Sequence, residues 1–402
     1  MAVEQDSAPA SGDYASIFRQ YVVRGAERTL TKVAGESPLD IDGREQALLT
    51  LTYAMDLPEA WPVTRELLVT LAPRLEKAGY REEWMPYLER GVERCRAAND
   101  SAAEGELLYQ LGMIYHLLGQ LNDALSYFSR SVACFARVED RHRQARALNR
   151  QAHVFRLQRR FEEAGRTADA AINLLPPDDP ERGYTAFVWG CIALDKRDLP
   201  LAVRHYQEAL RIAETSGERR RIAWSLTNLG PALRASGRIE EAVECYQRAI
   251  VILGEIDDRV HQAAARTNLG SVYLNTGQPE LALALFLQAE KVLREVHDLR
   301  VAPITTNLSM VYRLLGQPDK AAHYAEASIH FYREIGDEAG VINAMNCLAE
   351  ACVDAGRDAE AEAVLDEASA LLQPFQDEPG NAILAEDMAM IRAQLVQRKA
   401  SA

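Results

Sequence analysis

The chain has no apolar run long enough to cross a membrane. Its hydrophobic stretches are short and broken by charge, whereas a spanning helix needs about 20 consecutive apolar residues. A basic start followed by an apolar stretch is also missing, so residues 1–13 (MAVEQDSAPASGD) read as a polar, disordered tail and not as a secretory signal. Cysteine is sparse: Cys95, Cys134, Cys191, Cys245, Cys347 and Cys352 are scattered, with no CxxC pair. That argues against a disulfide framework and leads us to expect buried free thiols in a reducing cytoplasm. Excess positive charge is lacking too. Against 59 Asp and Glu stand 45 Lys and Arg, a net charge of −14, which disfavours general affinity for nucleic acid or anionic membrane.

Catalytic patterns are equally scarce. The histidines (His116, His142, His153, His205, His261, His297, His323 and His330) form no HExxH and no Cys/His ligand spacing. There is no Walker loop, no GxSxG and no nucleotide-binding glycine fingerprint. Paired carboxylates sit where helices begin, a place the helix dipole explains. The expectation is a non-enzyme without metal or cofactor. The Glu218-Arg219-Arg220-Arg221 run reads as a solvated turn.

What the chain does have is a repeat. Gly79, Gly119, Gly237, Gly277, Gly316 and Gly356, with Arg159 and Arg197 filling the two gaps, recur at spacings of 40, 40, 38, 40, 40, 39 and 40. With this residue counted as position 15, position 8 reads Ala72, Gly112, Ala152, Gly190, Gly230, Gly270, Ser309, Ala349. Position 20 is Ala from the second repeat onward, and position 27 is Gly, Ala or Ser throughout. Bulky residues recur between them, as in Leu108, Leu111, Tyr115 and Phe128 at positions 4, 7, 11 and 24.

This pattern dictates a pair of antiparallel helices per repeat. Small residues let helix axes approach, and larger ones fill the spaces between. Position 15 ends the first helix in a left-handed cap. Acids or proline open the second, as in Glu240-Glu241 and Pro279-Glu280. A further acid marks each inter-repeat turn: Asp100, Asp140, Asp179, Glu218, Asp258, Asp298 and Asp337. The fold class is therefore all-α, a solenoid of antiparallel helix pairs with about eight repeats over residues 62–375.

On these residues the chain resembles the tetratricopeptide repeat (TPR) family in a lengthened form of about 40 residues, and the resemblance implies a right-handed superhelical solenoid. Similar long repeats occur in kinesin light chains, Pins-type adaptors and the sensor regions of bacterial regulators. The third full repeat departs from the pattern. Ala186 and Ala193 replace bulky residues, Trp189 stands for leucine, Arg197 replaces glycine, and Pro176-Pro177 precedes it. These departures suggest a bend there.

Solenoids need ends that cover the last apolar face. Residues 14–61 read as N-terminal capping helices, with Ile17, Phe18, Tyr21 and Val22 on one face. Residues 376–402 read as a C-terminal capping helix and tail, with Ile383, Leu384, Met388, Ile391 and Leu395 inward.

The resemblance implies that positions 2, 5, 6, 9, 12 and 13 of each first helix face a concave groove. Position 6 carries Asn228, Asn268 and Asn307 in consecutive repeats, and Asn343 and Asn346 follow at positions 2 and 5 of the next. Asn149 and Arg150 hold positions 5 and 6 earlier in the chain, and Arg156, Arg234 and Arg313 hold position 12. An amide both donates and accepts, so a series of asparagines suits an extended peptide backbone. Arginines would select carboxylates on that ligand. The alternative is that these amides only bond to the neighbouring repeat. Two functions are open: a scaffold holding an extended, acidic peptide, or a ligand-responsive subunit controlling a separate enzyme or transcription factor. Self-association is compatible with either.

Overall fold

The computed structural model describes residues 11–35, 41–78, 81–295, 300–375 and 381–401. Among the described residues it is helical throughout, with no strand. The helices are α1 (Ser11–Ala34), α2 (Ile41–Ala54), α3 (Trp61–Ala78), α4 (Arg81–Ala97), α5 (Ser101–Leu117), α6 (Leu121–Arg137), α7 (Arg141–Leu157), α8 (Phe161–Leu174) and α9 (Arg182–Asp195). They continue as α10 (Leu199–Ser216), α11 (Arg219–Ala235), α12 (Ile239–Glu255), α13 (Arg259–Asn275), α14 (Pro279–Glu295), α15 (Val301–Leu314), α16 (Pro318–Ile335), α17 (Glu338–Asp354), α18 (Asp358–Leu372) and α19 (Asn381–Ser401). From α3 to α18 the expected pairs appear in order, the first helix of each repeat carrying an odd number.

The chain falls into two compact units, Met1–Asp198 and Leu199–Ala402. The division lies between α9 and α10, beside Arg197, in the repeat that departs most from the pattern.

Within each unit the repeat positions have a physical cause. In three repeats glycine at position 8 lies under the aromatic ring at position 24. A Cβ on Gly112 would stand 2.7 Å from the Phe128 ring, one on Gly270 2.8 Å from Phe286, and one on Gly230 2.3 Å from Tyr246. Where position 8 is Ala152, Ser309 or Ala349, position 24 is Ala168, Ala325 or Leu365, all of them buried. The helix pair keeps its spacing by trading bulk across the contact.

The turns repeat with the same regularity. Gly119, Gly237, Gly277, Gly316 and Gly356 have φ between 67° and 76°, and Arg159 and Arg197 adopt the same left-handed conformation at 61° and 63°. Gly79 and Asp298 lie outside the described residues. A second left-handed residue closes each of five inter-repeat turns: Asn99, Glu139, Gly217, Asp257 and Gly336. The acid that follows caps the next helix in four of them. Asp100, Asp140, Asp258 and Asp337 accept from the backbone N–H of Ala103, Arg143, His261 and Gly340 at 2.9–3.3 Å. Glu218 makes no such side-chain cap.

The two ends pack through small residues at one and large ones at the other. α1 and α2 do stack on α3, but through Ala26, Thr29, Val33, Ala47, Leu51 and Ala54, all buried. Ile17, Phe18 and Tyr21 point away and are 53%, 52% and 75% exposed. At the other end Met388, Ile391 and Leu395 of α19 are buried, whereas Ile383 is 62% exposed. No described helix is long and apolar enough to cross a membrane. All six cysteines are free thiols.

Candidate functional site

In the first unit, α5, α7 and α9 carry a connected polar and aromatic cluster. Arg146 reaches across to Glu106 at 2.5 Å and lies over the Tyr109 ring, 4.1 Å from its centroid. One turn on, Arg150 donates from Nε to the Tyr109 hydroxyl at 3.0 Å and rests 3.9 Å above the Tyr184 ring. Against the effect of its burial, Tyr109, Tyr184 and Glu181 raise its pKa. Arg156, by contrast, is held by a two-pronged bond to Asp195 at 2.5 and 2.8 Å.

Asn149 is wholly buried. Its amide donates to Glu181 Oε1 at 3.0 Å and accepts from the Thr185 hydroxyl at 2.9 Å. It is spent on the join to the next repeat. His116 and His153 sit edge to face at 5.6 Å, and His153 also touches Phe187. Burial, then His116, Arg156 and Arg150, push the His153 pKa down to about 3. Burial and Arg150 lower His116 as well. Both rings are neutral near pH 7, and His153 Nδ1 is buried without a partner.

In the second unit the first helices α11, α13, α15 and α17 pack one on the next. Asn228, Asn268, Asn307 and Asn343 lie along this layer, each half-buried. Asn228 donates to the Trp224 carbonyl of its own helix at 2.7 Å. Asn268, Asn307 and Asn343 make no side-chain hydrogen bond among the described residues. Asn346 is buried and donates to the Leu384 carbonyl of α19 at 3.2 Å, leaving its Oδ1 unpartnered. Arg234 is exposed and has no acidic partner among the described residues. Arg313 lies 3.3 Å from Glu350 and 3.7 Å from Asp354.

The candidates thus separate by what they already hold. Asn149, Asn346, Arg156 and Arg313 are engaged within the fold. Asn268, Asn307, Asn343 and Arg234 keep bonding capacity. Sequence reasoning missed Tyr109, His153, Tyr184 and Asp195, although each stands at one of the positions (5, 9, 2 and 13) that the family resemblance singles out. It also could not see that the basic turn is neutralised. Arg219 pairs with Glu255, Arg220 with Asp258 and Arg221 with Glu218. Among the described residues no group of His, Cys, Asp and Glu could hold a metal ion.

Family descriptions match three parts of the chain: a MalT-like TPR region over residues 150–308, and tetratricopeptide repeats over 103–176 and 343–367. The chain is a tetratricopeptide repeat protein. This TPR chain matches no curated protein. Among solved structures it resembles a signal transduction ATPase with a tetratricopeptide repeat sensor from Pyrococcus horikoshii. The identity is 14% and the TM-score 0.62, over 93% of this chain and 55% of that one. Aspartyl phosphate phosphatase F from Bacillus subtilis gives 13% and 0.53 over 93% and 97%. A Rap protein complexed with Competence and Sporulation Factor gives 14% and 0.50 over 94% and 99%. At these identities the likeness is one of fold, and the TPR fold is that of a protein-interaction scaffold.

Proposed function

We propose that this TPR protein holds an extended peptide segment of acidic character along its first helices and performs no chemistry on it. The observation that carries the reading is the uncommitted state of Asn268, Asn307 and Asn343 on the consecutive helices α13, α15 and α17. Neighbouring helix axes stand about 10 Å apart, and an extended chain advances about 3.3 Å per residue. One amide would therefore meet the ligand backbone about every third residue, reading its extension and not its sequence. The acidic preference rests on Arg234 in the same unit, an exposed guanidinium with no acidic partner among the described residues. A fold neighbour complexed with a factor supports the idea that such an array can hold a ligand.

The test is affinity selection of a random peptide library on the purified chain, followed by titration of the enriched peptide. Each lost amide bond is worth about 1 kcal/mol, so Asn268→Ala/Asn307→Ala/Asn343→Ala should weaken binding about a hundredfold. Enrichment of Asp and Glu is expected, and it should fade in Arg234→Met. Unchanged affinity in a folded triple variant would move the interface off this face. The rival reading, a ligand-responsive regulatory subunit, requires in addition a change in small-angle scattering when the peptide binds.

A further inference from the structure

The first helices of the second unit carry a further row of side chains beside the amides. Positions 9 and 13 read Pro231 and Ala235 on α11, Ser271 and Asn275 on α13, Met310 and Leu314 on α15, and Glu350 and Asp354 on α17. On α15, Asn307, Met310 and Leu314 stand at i, i+3 and i+7 and share one face of the helix. Met310 and Leu314 are 37% and 56% exposed, and among the described residues of these four helices no other large apolar side chain is exposed. Met310 lies about 4.5 Å along the axis from Asn307, within reach of a side chain whose backbone that amide holds.

Charge changes sign across the same layer. On α11, Arg234 is exposed without an acidic partner among the described residues. On α17, Glu350 and Asp354 share the one guanidinium of Arg313, 3.3 Å and 3.7 Å away. Asp387 of α19 lies close enough to raise the Glu350 pKa further. One cation there answers three carboxylates, so an acidic ligand side chain is repelled.

We propose that the peptide held on this face seats a large apolar side chain on Met310 and Leu314, and that its acidic residues are confined to the Arg234 end and shut out over α17. The proposal rests on the peptide-binding reading and adds the side-chain pattern of the ligand. From α11 to α15 is two helix spacings, about 20 Å, or about six residues of extended chain. One spacing more, about three residues, brings the ligand to Glu350 and Asp354. The apolar residue therefore stands about six places from the acidic one, and the acid-free place about three beyond. Amides bond a backbone running in either direction, so the spacing identifies the pattern whichever end of the peptide leads.

The experiment selects a random library of peptides about 15 residues long on the full chain and aligns the enriched sequences on their acidic residue. Leu, Ile, Met or Phe is expected about six places away, and Asp and Glu should be depleted about three places beyond it. In Met310→Ser/Leu314→Ser the apolar preference should vanish. The enriched peptide should bind that variant about tenfold more weakly, with unchanged circular dichroism, whereas a peptide with Ser at the apolar place should bind both chains alike. Glu350→Gln/Asp354→Asn releases Arg313 and should admit Asp and Glu over α17. Enriched peptides without an apolar residue at that spacing, or an affinity indifferent to Met310→Ser/Leu314→Ser, overturn the proposal. If Asn268→Ala/Asn307→Ala/Asn343→Ala still weakens binding in that case, the peptide-binding reading stands without it. A library that yields no binding peptide overturns both.

Discussion

Gly230 shows what one residue carries in this fold. A Cβ there would lie 2.3 Å from Tyr246 Cζ and 2.5 Å from its hydroxyl, and Tyr246 is buried with no room to retreat. Overpacking of this kind costs about 1–3 kcal/mol, so Gly230→Ala should lower unfolding free energy by that amount in a urea titration. In a Tyr246→Leu background the same change should cost much less, since the ring that would be struck is gone. Equal costs in both backgrounds would mean that glycine is needed for another reason. The relation was written in the sequence all along. Position 8 is glycine wherever position 24 is aromatic, and alanine or serine wherever it is Ala168, Ala325, Leu88 or Leu365. Small size at position 8 was easy to read. The partner that demands it needed the antiparallel pairing to be seen.

For the helical elements, the repeat length fixed eight pairs and their ends closely, because a left-handed residue must stop each first helix. Arg159 and Arg197 obey that geometry without being glycine, with φ of 61° and 63°. A side chain in this region costs about 1–2 kcal/mol. Arg159→Gly should therefore raise the melting temperature of the chain, with a gain of about 1 kcal/mol in unfolding free energy after the added flexibility of the unfolded glycine is subtracted. A loss of stability would show that the Arg159 contact with the Phe161 ring, at 5.7 Å, outweighs the strain. The candidate site was legible only in part for a related reason. Register places Asn149 and Asn268 on equivalent helices, but it does not show that Glu181 and Thr185 of the next repeat consume the first amide. On α1 the sequence pattern shows one apolar face, Ile17, Phe18, Tyr21 and Val22, without showing which residues meet α3. The small residues Ala26 and Thr29 form that contact, and leave the aromatic residues outside.

Considered as a whole, the chain carries its ionisable strain unevenly, and acid should act on its two units differently. His153 in the first unit is held neutral with a pKa of about 3, against about 6.5 in the unfolded chain. The unfolded state therefore binds a proton that the folded state refuses. Stability contributed by the neutral ring is present above pH 6.5 and falls as pH drops through the interval from about 6.5 to 3. Between pH 7 and pH 5 the loss amounts to about 2 kcal/mol, and the lowered pKa of His116 adds to it. In the second unit Glu350 and Asp387 are shifted upward, chiefly by burial, so mild acid relieves them. Asp258 is shifted downward, because His261 and Arg220 outweigh its burial, and its contribution is lost only as pH falls below the ordinary carboxylate range. Three tryptophans, Trp61, Trp84 and Trp189, report the first unit, and Trp224 alone reports the second. In a Trp224→Phe chain the urea midpoint followed by fluorescence should fall from pH 7 to pH 5, and His153→Gln should remove most of that fall. A chain in which His153→Gln keeps the full pH dependence would place the acid-sensitive group elsewhere. It would also show that the His116–His153 contact opens to water more readily than its packing against Phe187 implies.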